Sequence, residues 1–174
     1  MKKGLLLVSI LFISVISTAC INNLAVQELN NKAKEYMDKG DYQEAIARLK
    51  SSLDLDSAMF ETHYNLAVAY TKAEDYANAI KVYEDAIALK PDFAETYYSL
   101  AVCQENLAKD IMSEEDEDEE TAPQSDYINY LNAAIANYKT YLEKSPQATD
   151  KKDVEEKIEQ LNELISDAEV PVAR

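Results

Sequence analysis

The chain has 174 residues and a formal net charge of −16, and it contains only 2 glycines, 1 histidine and 2 cysteines. Loops that cradle phosphate need several glycines in one turn so that the backbone can approach the anion, which excludes P-loop and dinucleotide-binding proteins. Cys20 and Cys103 form no Cys-x-x-Cys pair, which excludes a structural zinc site. Phosphate backbones repel an acidic chain, so we expect no nucleic-acid partner. Few glycines and prolines beside many Ala, Leu, Glu and Lys residues predict helices.

Residues 1–20 have the order of a secretory signal: two lysines, an apolar stretch from Leu5 to Ile16, and small residues that lead into Cys20. A helix needs about twenty apolar residues to span a bilayer, so this stretch is too short for a comfortable permanent anchor. Small residues running into a cysteine resemble a bacterial lipobox. That resemblance implies a signal peptide at 1–19, a lipid on Cys20 and a short linker that reaches residue 25.

We therefore expect the chain to be lipid-anchored in a bacterial cell envelope, outside the cytoplasm. Ile21 is not the aspartate that retains many lipoproteins at the inner membrane, which favours the outer membrane, facing the periplasm, in a cell with two membranes. Two alternatives remain open, namely an ordinary signal with an incidental cysteine and an uncleaved membrane anchor. Both also place the rest of the chain outside the cytoplasm.

The remainder of the chain repeats itself with an offset of 34 residues. The offset relates Ala33 to Ala67 and Ala101, Tyr36 to Tyr70, Tyr42 to Tyr76, Ala45 to Ala79, Ile46 to Ile80, and Leu55 to Leu89. Ala134, Tyr138 and Pro146 continue the second halves at an offset of 55, so the third unit has an insertion of 21 residues at about 109–129. A fixed period of this length is typical of a solenoid of supersecondary units.

Each unit has the pattern of a helical hairpin. Leu66, Ala67 and Tyr70 form one helical stripe of the second unit. Gly40 is placed to end the first helix of the first unit, because glycine adopts left-handed backbone angles at low cost. Apolar residues at helical spacing near the C-terminus predict an amphipathic helix at 149–168 that covers the last apolar face.

These repeats resemble the tetratricopeptide repeat. The second unit has the family's pattern most fully, as Leu66-Ala67, Tyr70, Asp75-Tyr76, Ala79-Ile80, Ala86, Leu89 and Pro91. The resemblance implies an all-α protein, a right-handed superhelix of three helical hairpins with a C-terminal capping helix. The implied boundaries are three units at 26–59, 60–93 and 94–148, the cap at 149–168 and a tail at 169–174.

The family presents the first helix of each hairpin as the wall of a concave groove that takes peptides or helices of partner proteins. The residues that this assigns to the groove are Gln27, Asn30, Lys34 and Met37 in the first unit, Glu61, Tyr64, Val68, Thr71 and Lys72 in the second, and Glu95, Tyr98, Val102, Glu105 and Asn106 in the third. Tyrosine suits a binding surface because it buries a large area and keeps a polar tip. Internal packing of Tyr64 and Tyr98 is the alternative. The clamp of Lys, Asn and Arg side chains that some members use for a terminal carboxylate is absent, with Lys34 and Asn65 as its remnants.

We expect the other residues that could support chemistry to be structural. The run Glu114–Glu120 has seven consecutive acidic residues, which predicts a mobile, solvated loop. It lacks the glycine and the spaced ligands of an EF-hand. His63 stands at a packing position with no nucleophile arranged beside it, and Cys103 falls at a small core position.

We therefore expect no enzyme activity, no cofactor and no metal site. The predicted function is a membrane-tethered scaffold that binds a partner protein or peptide during cell-envelope assembly. The alternatives are a self-associating structural lipoprotein, which would be a homo-oligomer, and a divalent-cation-binding module that uses the acidic loop.

Overall fold

The computed structural model describes residues 23–115 and 125–169, so Cys20 and the predicted signal peptide lie outside the described residues. Seven helices and no strand form this part of the chain. The helices are α1 (23–39), α2 (Tyr42–Leu55), α3 (Phe60–Lys72), α4 (Tyr76–Leu89), α5 (Ala94–Glu115), α6 (Ser125–Lys144) and α7 (Lys151–Glu169). The prediction of an all-α protein is confirmed.

The helices pack in two layers. From α2 to α7, each helix contacts the next one along the chain. The first helices of successive units also contact one another, through Asn30 and Thr62 between α1 and α3, Thr71 and Cys103 between α3 and α5, and Glu105 and Lys157 between α5 and α7. One layer is therefore α1, α3, α5 and α7, which we call the first-helix row, and the other is α2, α4 and α6.

Small residues set how closely these helices approach. Ala33, Ala67 and Ala101, the alanines of the 34-residue period, are each at most 1% exposed. Because an alanine has no side chain beyond Cβ, neighbouring backbones can come close, and the large rings of Tyr83 and Tyr138 fill the same two core clusters. Burying a large apolar side chain stabilises the folded state by roughly 1.5–3 kcal/mol.

The first two hairpins turn in the same way. Gly40 has a φ angle of 82°, and Glu74, at the equivalent position one repeat later, has a φ angle of 60°. The residue that follows each of them donates a backbone hydrogen bond to the last turn of the helix. The Asp41 N–H donates to the Tyr36 carbonyl at 2.9 Å, and the Asp75 N–H donates to the Tyr70 carbonyl at 3.0 Å. This is the Schellman arrangement, which requires a left-handed residue. The prediction that Gly40 ends the first helix is confirmed, and Glu74 adopts the same angles with a side chain.

The insertion in the third unit lengthens both of its helices. α5 has 22 residues and α6 has 20, whereas α3 has 13 and α4 has 14. The added turns are packed, since Ile111 and Met112 lie half-buried against the cluster that includes Tyr127 and Leu131.

The expectation of a loop that begins at Glu114 is wrong, because Glu114 and Glu115 are the last residues of α5. Glutamate favours helix, so α5 continues into the first two residues of the acidic run. The rest of the acidic run, 116–120, lies outside the described residues.

The last helix covers the apolar face of the third hairpin. Val154 and Leu161 of α7 are at most 4% exposed and belong to the same core cluster as Ala101 and Tyr138. None of the helices in the described ranges is long and apolar enough to cross a membrane.

Replacing Glu74 with glycine is expected to raise the free energy of unfolding by about 1 kcal/mol. A residue with a side chain pays about 1–2 kcal/mol of strain at left-handed angles. Glycine avoids this strain, and the extra backbone entropy that glycine loses on folding offsets only part of the gain. Gly40→Ala is the matched change in the opposite direction and should destabilise by a similar amount. Urea unfolding followed by circular dichroism measures both. Equal stability of Glu74→Gly and the wild type would show that the turn at Glu74 stores no strain.

Candidate functional site

The exposed face of the first-helix row repeats the same positions from helix to helix. Lys34, Val68 and Val102 are separated by 34 residues, and Lys157 follows Val102 at the offset of 55. The two valines are half-buried, Lys34 is exposed and Lys157 is half-buried. This line of residues therefore has a lysine at each end and two valines in the middle.

The aromatic residues of the row take part in internal packing. The Tyr64 ring lies 5.9 Å from the ring of Tyr83 and 5.7 Å from that of Phe93. The Tyr98 ring lies 5.6 Å from that of Tyr138 and 5.2 Å from that of Tyr141. Both tyrosines stay half-buried, so their rings join the two layers and only their remaining edges are open to a partner.

The residue equivalent to these tyrosines in α1 is Asn30, which turns inward. Its Nδ2 lies 2.8 Å from Ser52 Oγ, 3.1 Å from Thr62 Oγ1 and 2.9 Å from the Val26 carbonyl. One repeat later Thr96 is fully buried, and its hydroxyl has no hydrogen-bond partner among the described residues. Thr96 lacks a partner because the residues equivalent to Asn30 and Ser52 in this repeat are Tyr64 and Ala86.

Glu105, which was predicted to contact a partner, instead makes its contacts within the protein. It is 6% exposed, and its carboxylate accepts hydrogen bonds from Tyr138 Oη at 2.8 Å, Lys109 Nζ at 2.6 Å and Lys157 Nζ at 3.2 Å. Burial alone would raise the pKa of Glu105, but the hydrogen bonds from Lys109 and Tyr138 and the charge of Lys157 outweigh it and lower the pKa. Burial and the charge of Glu105 in turn raise the pKa of Tyr138.

The other predicted contacts differ in how open they are. Thr71 is half-buried, and its hydroxyl donates to the Ala67 carbonyl at 2.8 Å and lies 3.1 Å from Cys103 Sγ. Glu61, Lys72 and Glu95 are exposed, whereas Met37 is half-buried against the core.

A cavity of about 420 Å³ lies at the α1 end of the row. It is lined by Asn30, Ala33, Lys34, Met37, Asp38, Leu49 and Asn65. Ala33 and Leu49 are at most 1% exposed, so they form an apolar floor, whereas Lys34 and Asn65 are exposed. The cavity therefore brings a cation and an amide of two different first helices over an apolar base.

A second cavity, of about 500 Å³, lies where α5 and α7 begin. It is lined by Glu95, Tyr141, Ser145, Pro146, Gln147, Ala148, Thr149 and Asp150. Tyr141 Oη donates to Asp150 Oδ1 at 2.8 Å, and burial together with this hydrogen bond raises the pKa of Tyr141 to about 12. Sequence reasoning missed Asp150, although the offset of 55 that relates Val102 to Lys157 also relates Glu95 to Asp150.

His63 and Cys103 make structural contacts. His63 Nε2 lies 2.9 Å from the Ser57 carbonyl oxygen, and Tyr97, 34 residues later, donates to the Pro91 carbonyl at 3.0 Å. Each side chain therefore contacts a backbone carbonyl of the loop before its own helix and stabilises that loop. Cys103 is fully buried, as predicted, and burial raises the pKa of its thiol. In 23–115 and 125–169 no three His, Cys, Asp or Glu side chains are grouped so that they could bind a metal ion.

A family model described as tetratricopeptide repeat matches residues 30–94 and 64–107. Among solved structures, the chain is similar to the second TPR domain of the human RPAP3 protein in complex with an HSP70 peptide, with 20% identity, a TM-score of 0.63, and 79% of this chain and 98% of that chain covered. It is also similar to the Sgt2 TPR domain from Aspergillus fumigatus, with 16% identity, a TM-score of 0.64 and 86% of each chain covered.

A third similar structure is the type III secretion chaperone SycD of Yersinia enterocolitica in complex with a peptide of the translocator YopD. It has 16% identity and a TM-score of 0.58, with 80% of this chain and 91% of that chain covered. A search among curated proteins finds no match to the chain. At these identities the likeness to solved structures concerns the fold.

Glu105→Gln is expected to lower the free energy of unfolding at pH 7 by about 1–3 kcal/mol, because the charged hydrogen bonds to the two lysines are lost. Since the pKa of Glu105 is lowered in the folded state, its contribution is present above the ordinary glutamate pKa and is lost as the pH falls through the folded value. The difference in stability between wild type and variant should therefore be constant well above the ordinary glutamate pKa of about 4.3 and should shrink as the pH falls below it. Urea unfolding between pH 3 and pH 7 tests this, and a difference that persists unchanged at pH 3 would contradict it.

Proposed function

Because this chain is a tetratricopeptide repeat protein, we propose that it is a binding module that takes a segment of a partner protein against the face of its first-helix row. The observation that supports this most strongly is the line of half-buried Val68 and Val102, which continues from Lys34 at the cavity of the α1 end. Apolar side chains that stay partly open between polar rims are typical of peptide-binding grooves. Two of the similar structures contain bound peptides, in the human and the Yersinia proteins.

The packing of the row suits a binding wall. The side chains that join the helices, such as Asn30, Thr71 and Glu105, are bonded within the protein. The wall is therefore fixed before a partner arrives, and binding does not have to order it, which lowers the entropic cost of association. Val68, Val102 and the open edges of Tyr64 and Tyr98 supply the apolar contact.

The proposal includes a lipid tether at Cys20. The lipobox-like order of residues before Cys20 supports it, and so does the free thiol of Cys103, which is buried and needs no disulfide partner. Residue 23, the first residue of α1 that the structure describes, stands three positions after Cys20, and three residues span at most about 10 Å. A lipid on Cys20 would keep the α1 end of the row close to the membrane surface, where a cell-envelope scaffold would meet partners of the same membrane.

Photo-crosslinking in the cell tests the binding surface. A crosslinking amino acid at position 34, 68 or 102 should give adducts with one partner protein, because these positions lie on the open face of the row. Positions 81 and 84 are exposed on α4 in the other layer and serve as controls. If positions 81 and 84 give adducts with that protein and the positions on the row give none, the binding surface lies on the layer of α2, α4 and α6 and the proposal is wrong.

Membrane fractionation tests the tether. Cys20→Ala is expected to leave the chain unprocessed, because the lipid-modified cysteine directs cleavage, and to remove acyl incorporation. Labelling with a clickable fatty acid measures this, and Cys103→Ala is the matched control that should keep both label and processing. A Cys20→Ala chain that is processed and labelled like the wild type would overturn the lipid assignment.

A further inference from the structure

The helices of this array begin and end at two opposite edges. Short connections join consecutive helices, which therefore run antiparallel. At one edge the first helices begin and the second helices end, and we call it the loop edge because it contains the connections between units at 56–59, 90–93 and 145–150. The other edge, the turn edge, contains the hairpin turns at 40–41 and 73–75 and the end of α5.

Contacts between neighbouring units hold the loop edge together. The ring of Phe60, the first residue of α3, lies 5.1 Å from the ring of Phe93, which directly precedes α5. Lys144 Nζ, at the last residue of α6, lies 3.4 Å from Asp92 Oδ1. The loop edge is therefore one continuous surface that runs from unit to unit.

The strongly exposed large apolar side chains of the described residues all lie at the loop edge. Leu24, near the start of α1, is 68% exposed, and Leu55 and Leu89, the last residues of α2 and α4, are each 41% exposed. One exposed leucine is ordinary on a protein surface. Three on one edge, with no such side chain on the turn edge or on the helix faces of the described ranges, indicate a contact surface.

The chain reaches Cys20 from this same edge. Leu24 follows Cys20 by four residues, which span at most about 14 Å. From this position, and resting on the proposed lipid tether, we infer that the loop edge lies on the surface of the membrane that holds the lipid. Leu24, Leu55 and Leu89 then contact lipid, which removes their apolar surface from water.

The charged residues of the loop edge fit a zwitterionic lipid. Lys90 Nζ lies 4.8 Å from the ring centroids of both Phe60 and Phe93, and Lys90 forms no ion pair within the described residues. A lysine whose stem lies along apolar groups keeps its ammonium in the polar region, where it can meet a lipid phosphate. Asp56 and Asp92 are exposed in the loops and suit the ammonium of phosphatidylethanolamine. Their charge disfavours an anionic lipid.

This contact fixes how the protein stands on the membrane. The helices rise from the lipid surface, so the first-helix row faces sideways and stays open to a partner segment. α5 has 22 residues and, at 1.5 Å per residue, is about 33 Å long. Since α5 ends at the turn edge, the start of the acidic run lies about one helix length from the lipid phosphates.

Fluorescence of the lipidated full chain in vesicles of phosphatidylethanolamine and phosphatidylcholine tests this inference. Leu55→Cys and Leu89→Cys are labelled separately with the fluorophore NBD, and Lys39→Cys and Lys72→Cys at the turn edge are the matched controls. Cys103 is fully buried and Cys20 would be lipidated, so neither takes the label. We expect a blue shift at 55 and 89 and a loss of emission when the vesicles contain a phospholipid with a spin label near its headgroup. The emission from 39 and 72 should not change.

The outcomes separate this inference from the tether on which it rests. If the chain floats with the vesicles but the labels at 55 and 89 respond no more than those at 39 and 72, the membrane contact is overturned while the tether stands. If the wild-type chain does not float with the vesicles, the tether fails and this inference fails with it. Adding phosphatidylglycerol should weaken the response at 55 and 89, and a stronger response would overturn the zwitterionic assignment.

Discussion

The structure depends on the need of each helical hairpin to cover an apolar face that it cannot bury alone. The first helix of the next unit supplies the cover, and alanines at 33, 67 and 101 let it approach closely. A polar contact then fixes each junction, from Asn30 to Thr62, from Thr71 to Cys103 and from Glu105 to Lys157. This packing places the first helices side by side. They form a continuous face on the first-helix row, against which a partner segment could bind.

The repeat period was enough to predict the helical hairpins and the alanines that join them, because these depend on contacts that recur in every unit. It could not predict which way a side chain turns at a repeated position. Asn30, Tyr64 and Tyr98 are equivalent, yet Asn30 bonds inward because Ser52 and Thr62 lie opposite. The tyrosines meet aromatic rings instead.

Glu105 illustrates the same limit over a longer distance along the chain. Its carboxylate is occupied by Lys109 on its own helix, but also by Tyr138 and Lys157, which lie 33 and 52 residues away. Nothing in the pattern of α5 alone indicates those partners. The length of α5 was missed for a related reason, since the packing of Ile111 and Met112 against α6 extends the helix into the acidic run.

The central claim is that a partner segment lies along the first-helix row. The most direct measurement is the NMR spectrum of the isotope-labelled protein in detergent micelles, titrated with a peptide selected for binding. We expect the amide signals of Lys34, Val68, Val102 and Glu95 to shift, while those of Lys81 and Glu84 on α4 stay in place. Shifts confined to α2, α4 and α6 would contradict the account.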